Sequence, residues 1–228
     1  MSSPAPVQRL PASVRLPWHG HEEGYAAIVL EGCYLEAGDG GRARAEPGRV
    51  LVHSPFSGHA DWVGPSGAAI VNVPLRPEAA LICRSGTTDD PEALAKSLRE
   101  APNSAATILA EAVRPQPAVE YDLPDRLAMA IQGDERLSLA EWASEHRVSM
   151  RTLSRSFRSC FGLSPAHYRW RARTLAAWRS VMLETQPLAS VAAAFGFSDQ
   201  AHMSRSIRAL TGRPPGVWRR SHSQPLSD

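Results

Sequence analysis

Residues 138–162, SLAEWASEHRVSMRTLSRSFRSCFG, decide the fold of the C-terminal half of the chain, and residues 187–212, PLASVAAAFGFSDQAHMSRSIRALTG, repeat their pattern. In both stretches a short apolar segment leads through a turn to a serine, which is followed by an amphipathic segment and a closing glycine. The copies lie about fifty residues apart, a spacing typical of an internal structural repeat. A short helix, a tight turn and a second helix make up a helix-turn-helix, so the sequence predicts two such units.

In the first copy, Ser138 and Ser149 have the residue type that caps helix N-termini. Leu153 and Phe157 are four residues apart, so both should lie on the buried face of the second helix. The opposite face then carries a polar stripe of four residues: Arg151, Ser154, Arg155 and Arg158. Arginine pairs with the O6 and N7 atoms of guanine in the major groove, so this stripe predicts a DNA-reading surface.

The second copy predicts a matching surface. Gly196-Phe197 is the expected turn, and Ser198 or Asp199 caps the next helix. The buried face is expected to hold Met203, Ile207 and Leu210. The exposed face then consists of Gln200, Ala201, Ser204, Arg205 and Arg208. Glutamine pairs with adenine edges, whereas alanine offers only a methyl group, so this copy is expected to read fewer bases.

Between the copies, residues 166–184 contain neither glycine nor proline and follow the helix-starting pair Ser164-Pro165. About twenty helical residues span roughly 30 Å, close to the roughly 34 Å turn of B-DNA. One long helix could therefore hold two recognition helices in successive major grooves. Its four arginines, some of which are expected to be merely solvated, should add positive potential: Arg169, Arg171, Arg173 and Arg179.

Charge is divided unevenly along the 228 residues, although the total is only +2. Residues 1–132 carry 11 basic and 16 acidic side chains, a net charge of −5. Residues 133–228 carry 14 basic and 7 acidic side chains, a net charge of +7, and every basic residue there is arginine. Such asymmetry favours two domains with different partners, and the arginine-rich half favours nucleic acid.

The first third of the chain predicts antiparallel β-structure. Short apolar or alternating segments at 25–30, 32–36, 42–46, 50–53 and 68–73 are separated by turn residues, with 55–67 expected to be an irregular connection. A small antiparallel β-barrel is the expected fold of this region. We expect helices to follow from Asp90 and from Asn103 or Ser104, which either pack on the barrel or form a dimer seam.

These patterns predict an α+β protein with two domains, the second all-α with a double helix-turn-helix. The expected boundaries are 1–85 for the barrel, 86–120 for a helical connector with a linker at Pro115-Gln116-Pro117, and 121–221 for the helical domain. No run of 18 apolar residues exists and the start, MSSPAPVQRLP, has no export signal, so we expect no membrane association and a cytoplasmic location. Three widely spaced cysteines favour neither disulfides nor a cysteine zinc site.

Residues 121–220 resemble the DNA-binding domain of AraC/XylS-type transcription regulators, above all in GFSDQAHMSRSIRALTGRPPGVWRR at 196–220. The resemblance implies sequence-specific binding of double-stranded DNA through both units. It assigns duplex binding to Arg151, Ser154 and Arg155 in the first unit and to Gln200, Ser204 and Arg205 in the second. The sequence departs from the family at Met203 and Ile207, where phenylalanines are common, and at His202, where an aromatic residue is common. These changes keep the core apolar, so they bear on affinity more than on fold.

The acidic half holds His19 and His21 as an HxH pair, with His59 further along. Three imidazoles brought together by a hairpin are a common way for a small barrel to bind a divalent metal such as Zn or Fe. The spacing resembles the cupin superfamily, in which a glutamate usually follows the pair; Tyr25 stands there instead. A metal-free pocket for a small organic ligand, or histidines that only form hydrogen bonds, remain open.

The sequence therefore predicts a transcriptional regulator rather than an enzyme, controlled by a small-molecule effector or a metal in a cupin-like sensor domain. DNA binding itself should need no cofactor. A homodimer and contact with RNA polymerase are further expected partners. The alternatives are a metal-dependent cupin enzyme with a helical accessory domain and a DNA binder without sequence preference.

Overall fold

The computed structural model describes residues 7–116, 122–134 and 136–223. The chain divides into two compact units, Met1–Tyr121 and Asp122–Asp228. The first consists of an antiparallel sheet with covering helices and the second consists of helices, so the predicted α+β class with two domains is confirmed.

Eight strands and three α-helices form the described part of the first unit. They are β1 (Gln8–Leu10), β2 (Arg15–Gly20), β3 (Gly24–Gly38), β4 (Gly41–Ala45), β5 (Arg49–His53), β6 (Gly58–Leu75), α1 (Pro77–Ile82), β7 (Gly86–Thr87), α2 (Pro91–Glu100), α3 (Ala105–Ala112) and β8 (Arg114–Pro115). The strands pair in the order β1-β6-β3-β5-β7-β8, with β2 also on β6 and β4 also on β3. Every pairing is antiparallel.

The expected irregular connection at 55–67 is wrong for most of its length, because residues 58–67 form the first half of β6. The glycines there serve close strand contacts instead of turns. A Cβ at Gly58 would lie 2.8 Å from the His19 carbonyl oxygen, and one at Gly64 would lie 2.7 Å from the Cys33 sulfur. Pairing of β3 with β6 changes register between Val29 and Glu31 and again between Gly32 and Tyr34.

Helices α1 to α3 cover one face of the sheet. Leu94 and Leu98 of α2 and Leu109 of α3 share a buried cluster with Ile28 and Val71 of the sheet. The helices therefore pack on their own sheet, which is the first of the two alternatives that the sequence left open. Strands β7 and β8 extend the same sheet, so the predicted connector at 86–120 is part of the first compact unit as far as it is described. Pro115 of the predicted linker lies in β8, and Pro117 lies outside the described residues.

Seven helices form the described part of the second unit: α4 (Leu123–Gly133), α5 (Leu139–Glu145), α6 (Met150–Phe161), α7 (Pro165–Leu183), α8 (Leu188–Ala194), α9 (Gln200–Thr211) and α10 (Pro215–Ser223). The long helix α7 agrees with the prediction for 166–184. Its fully buried Tyr168 and Trp178 lie at the centre of the unit, with Phe157 and Phe161 of α6 around Tyr168. Among the described residues, no helix combines the length and apolar composition needed to span a bilayer.

Candidate DNA-binding face and candidate metal centre

The first helix-turn-helix consists of α5 and α6, and a serine caps each helix. The Ser138 Oγ accepts a hydrogen bond from the Glu141 amide at 3.3 Å, and the Ser149 Oγ accepts one from the Thr152 amide at 3.1 Å. Between the helices Arg147 takes the left-handed conformation, with φ of +53°. The two serine hydrogen bonds satisfy amides that the first turn of each helix leaves without partners.

The inner face of α6 is buried as predicted, because Leu153 and Phe157 are both 0% exposed. The predicted stripe lies on the outer face: its three arginines are exposed and Ser154 is half-buried. In the described part of the chain, none of the three stripe arginines forms an ion pair: Arg151, Arg155 and Arg158. Their charge therefore remains available to an anionic partner.

The second helix-turn-helix consists of α8 and α9 and repeats this geometry. Asp199, and not Ser198, caps α9, through a 2.6 Å hydrogen bond from the His202 amide. Gly196 takes the left-handed conformation, with φ of +69°, at the place that Arg147 fills in the first copy. On the outer face, Ser204 is half-buried and the other predicted residues are exposed: Gln200, Ala201, Arg205 and Arg208. Met203 and Ile207 are 0% exposed, whereas Leu210 is only half-buried.

Two of the α7 arginines bind neighbouring loops. Arg169 donates a hydrogen bond to the carbonyl oxygen of Leu137. Arg173 donates to the carbonyl oxygen of Gly196 at 3.2 Å and lies over the Phe197 ring at 4.5 Å. These two side chains are half-buried and tie the loops at Leu137 and Gly196 to α7.

In the first unit, the sheet brings the three predicted histidines together. His19 lies near the end of β2, His21 follows that strand, and His59 lies near the start of β6, where it pairs with His19. One ligand nitrogen of each lies within 4.8 Å of the others. His21 Nε2 and His59 Nε2 are 3.1 Å apart. Two imidazole ligands of one tetrahedral zinc ion, each about 2.0–2.1 Å from the metal, have a similar separation.

Two of these rings are held by their other nitrogen. His19 Nδ1–H donates to the Pro17 carbonyl oxygen at 2.9 Å, and His59 Nδ1–H donates to Asp61 Oδ1 at 3.0 Å. Metal-binding histidines are generally fixed in this way, which leaves Nε2 as the ligand atom. The residues present therefore fit a divalent cation.

The structure adds Glu36 and His53, which the sequence did not indicate as ligands. Glu36 Oε2 lies 3.4 Å from His59 Nδ1 and 3.5 Å from His53 Nε2. Both Glu36 Oε2 and His53 Nε2 are buried without a hydrogen-bond partner, a costly arrangement for polar atoms. Glu36, His53 and His59 form a second group within metal-binding distance. The sequence signal available for Glu36 was its spacing of two residues from Tyr34, which places both side chains on the same face of a strand. Both residues are buried on β3.

Burial controls the protonation of the cluster. It lowers the pKa of His21 to about 4, assisted by the charges of His59 and His19. It also lowers the pKa of His53 well below its usual range. Burial alone would lower the pKa of His59, but the hydrogen bond to Asp61 and the nearby carboxylates raise it overall. His21 and His53 are thus neutral near pH 7, which is the form that binds metals.

The cluster encloses a cavity of about 70 Å³. That volume accommodates an ion with a few water molecules, whereas drug-sized ligands occupy about 300–1,000 Å³. Glu22 and Glu23 are not part of the metal-binding groups. They line an open groove of about 500 Å³ that also contacts His21 and Tyr25.

Helices α6 and α9 thus have the geometry of recognition helices, and the second unit belongs to the helix-turn-helix class. Residues 142–221 match the family described as a helix-turn-helix domain. The Transcriptional activator NphR of a Rhodococcus species is 28% identical over 191 residues, which cover 78% of this chain and 53% of that protein. A Streptomyces lividans protein described as an AraC-like transcription regulator is 30% identical over 88 residues, or 39% of this chain and 29% of its own length. The C-terminal unit is a helix-turn-helix domain, and its sequence is similar to that of proteins described as AraC-like transcription regulators.

The chain spans about half the length of the first relative and less of the second. Solved structures that align with this chain include the DNA-binding domain of AdpA in complex with a target DNA, at 24% identity and a TM-score of 0.42 over 45% of this chain and 94% of that one. ToxT from Vibrio cholerae O395 aligns with 96% of this chain and 97% of its own, at 8% identity and a TM-score of 0.48.

Proposed function

We propose that the chain is a sequence-specific DNA-binding transcriptional regulator. The observation that carries this function is the repeated arginine face on α6 and α9, whose arginines are exposed. An α-helix fits the major groove of B-DNA, where arginine and glutamine distinguish base pairs. The named relatives are regulators, so the metal-dependent enzyme alternative loses its support.

In this function the residues divide into two groups. Arg151, Arg155, Gln200 and Arg205 contact base edges and determine sequence preference. Arg158 and Arg208, one turn further along each helix, bind backbone phosphates together with the two serines, Ser154 and Ser204. Phosphate contacts release counterions, so affinity should fall steeply as salt concentration rises.

The test is selection of bound sequences from a random duplex pool, followed by affinity measurements on single-base variants. Arg155→Ala should lose about 1–3 kcal/mol at one base position and relax the preference there, because a bidentate contact to guanine is removed. Arg84→Ala, which removes an exposed arginine of the first unit, is the matched control. A uniform loss across all variants would contradict the role given to Arg155.

A second function, metal sensing, is favoured by the histidine geometry. His19, His21 and His59 would hold a divalent metal such as Zn or Fe, with Glu36 and His53 beside it. The metal would supply a positive charge that compensates the buried Glu36 carboxylate and links three strands. Binding in the folded state alone would raise stability and could change DNA affinity. The open groove lined by Glu22 and Glu23 would instead accept a small organic effector.

The test for the metal uses the purified full chain. Mass spectrometry of the wild type should detect bound metal, and a chelator should remove it. The melting temperature of the wild type should be lower with the chelator than without it. We expect His59→Ala to lose both the metal and the response, since His59 belongs to both ligand groups. His167→Ala, an exposed histidine in the second unit, should retain both. If the metal content is unchanged after His19, His21 and His59 are all replaced, the proposed metal site is wrong.

The proposal includes further partners. A homodimer would place two copies on neighbouring DNA sites, and RNA polymerase would be contacted if the protein activates transcription. A cytoplasmic location follows from the proposed role on DNA. Size-exclusion chromatography with light scattering tests the dimer, and a mass of twice 24.7 kDa would support it.

A further inference from the structure

Three arginines from two parts of the second unit meet at one pocket that lies outside both recognition faces. Arg136 precedes α5, and Arg169 and Arg173 lie on α7. The pocket has a volume of about 570 Å³, and Ser198 and His202 line its other side.

The charged side chains that line this pocket are positive. No aspartate or glutamate is among the described residues that line it, and its three arginines form no ion pair within the described part of the chain. Arg173 Nε is buried without a hydrogen-bond partner. Burial, followed by the charge of Arg169, lowers the pKa of Arg173. Like charges held this close repel one another, and a bound anion would relieve that repulsion.

The arginines are also held in place. Arg136 Nη2 donates to the Ala193 carbonyl oxygen at 2.8 Å, and Arg173 Nη1 donates to the Gly196 carbonyl oxygen at 3.2 Å. Arg169 uses one nitrogen on the Leu137 carbonyl oxygen. A guanidinium has five N–H donors, so each keeps donors for a ligand while its position is already fixed. Fixed donors lose little entropy on binding.

The position of the pocket identifies the anion. Gly196, Phe197 and Ser198 form the turn that leads into α9, so the pocket adjoins the N-terminal end of a recognition helix. That end points toward the bases when such a helix enters the major groove, and the backbone phosphates pass beside it. We propose that the pocket formed by Arg136, Arg169 and Arg173 binds a backbone phosphate of DNA and fixes the register of α9 on its site. This inference rests on the proposed DNA-binding function.

The test compares Arg169→Gln with wild type in the full chain, on a selected site and on a random duplex, over a series of salt concentrations. Affinity should fall by the same factor on both duplexes, about tenfold, because a phosphate contact carries no sequence information. The slope of log affinity against log salt should become shallower by about 0.9, the value for one phosphate. Arg169→Lys should keep the slope, and Arg84→Gln should change neither quantity.

Arginine modification by phenylglyoxal provides a second measurement on unaltered protein. The selected duplex should protect Arg136 and Arg169 from modification and leave Arg84 reactive. An unchanged salt slope, a loss confined to one base position, or equal reactivity with and without DNA would each overturn the inference. So would protection by inorganic phosphate alone with none by DNA, which would assign the pocket to a small anion. If the wild-type chain bound no duplex at all, the proposed function itself would fail.

Discussion

At the residue scale, the two turns place different residues in one backbone conformation. Arg147 and Gly196 are both left-handed, with φ of +53° and +69°. This conformation costs a non-glycine residue roughly 1–2 kcal/mol, whereas glycine adopts it freely. The exposed Arg147 side chain gains no packing in return.

Arg147→Gly is therefore expected to stabilise the second unit by about 0.5–1 kcal/mol, the relieved strain less the greater entropy of an unfolded glycine. Gly196→Ala should destabilise it by at least about 1 kcal/mol, since the new Cβ would also lie 3.1 Å from Arg136 Cγ. Urea denaturation of both variants measures these changes. Changes of opposite sign at the two positions are the expected result, and destabilisation by Arg147→Gly would show that its side chain has a structural role.

The same scale shows how much of the candidate metal site could be predicted from the sequence. His19, His21 and His59 were found because the HxH pair is a local pattern with a chemical meaning. Glu36 and His53 were missed because strand register alone brings them to the cluster. Glu36 pairs with Asp61, and Tyr25 pairs with His53, across strands that are far apart in sequence. Register of this kind cannot be read from one strand at a time.

At the element scale, helices were predicted better than strands. The bounds of α6, α7 and α9 follow from local signals: a capping serine or aspartate at the start and glycine or a polar residue at the end. The first half of β6 was missed because its glycines and Pro65 look like a loop. The glycines allow β6 to lie close to β2 and β3. This role cannot be read from the residues around them, because the two neighbouring strands come from other parts of the chain.

The α6 cap provides a prediction for a whole element. Ser149→Ala removes the acceptor for the Thr152 amide and should destabilise the second unit by about 1 kcal/mol, while Ser149→Asp should retain most of the stability. Ser159→Ala, at an exposed serine of the same helix, should stay within about 0.5 kcal/mol of wild type. Denaturant midpoints of the wild type and the three variants measure these changes in stability. If both alanine variants lose the same amount, the loss at Ser149 does not come from its cap.

At the scale of the whole molecule, opposite charges on two compact units make the total charge uninformative. Divided after Tyr121, the net charge of +2 separates into −4 for the first unit and +6 for the second. Each described unit has a buried core of its own, so this division follows the folded units. The charge asymmetry was visible in the sequence, whereas the inclusion of α2, α3 and β8 in the acidic unit required the structure.

The last prediction concerns the second unit alone. A fragment of residues 122–228 contains every predicted DNA contact and lacks the acidic unit, so it should bind the selected duplex more tightly than the full chain at low salt. The difference should shrink as salt rises, because the Debye length falls from about 30 Å at 0.01 M to about 10 Å at 0.1 M and screens the acidic charges from DNA. Contacts at the arginines are short-range, so sequence preference should be the same in both proteins. Fluorescence anisotropy at matched salt concentrations measures this. A fragment whose affinity advantage persists at high salt would instead indicate that the first unit inhibits binding by direct contact.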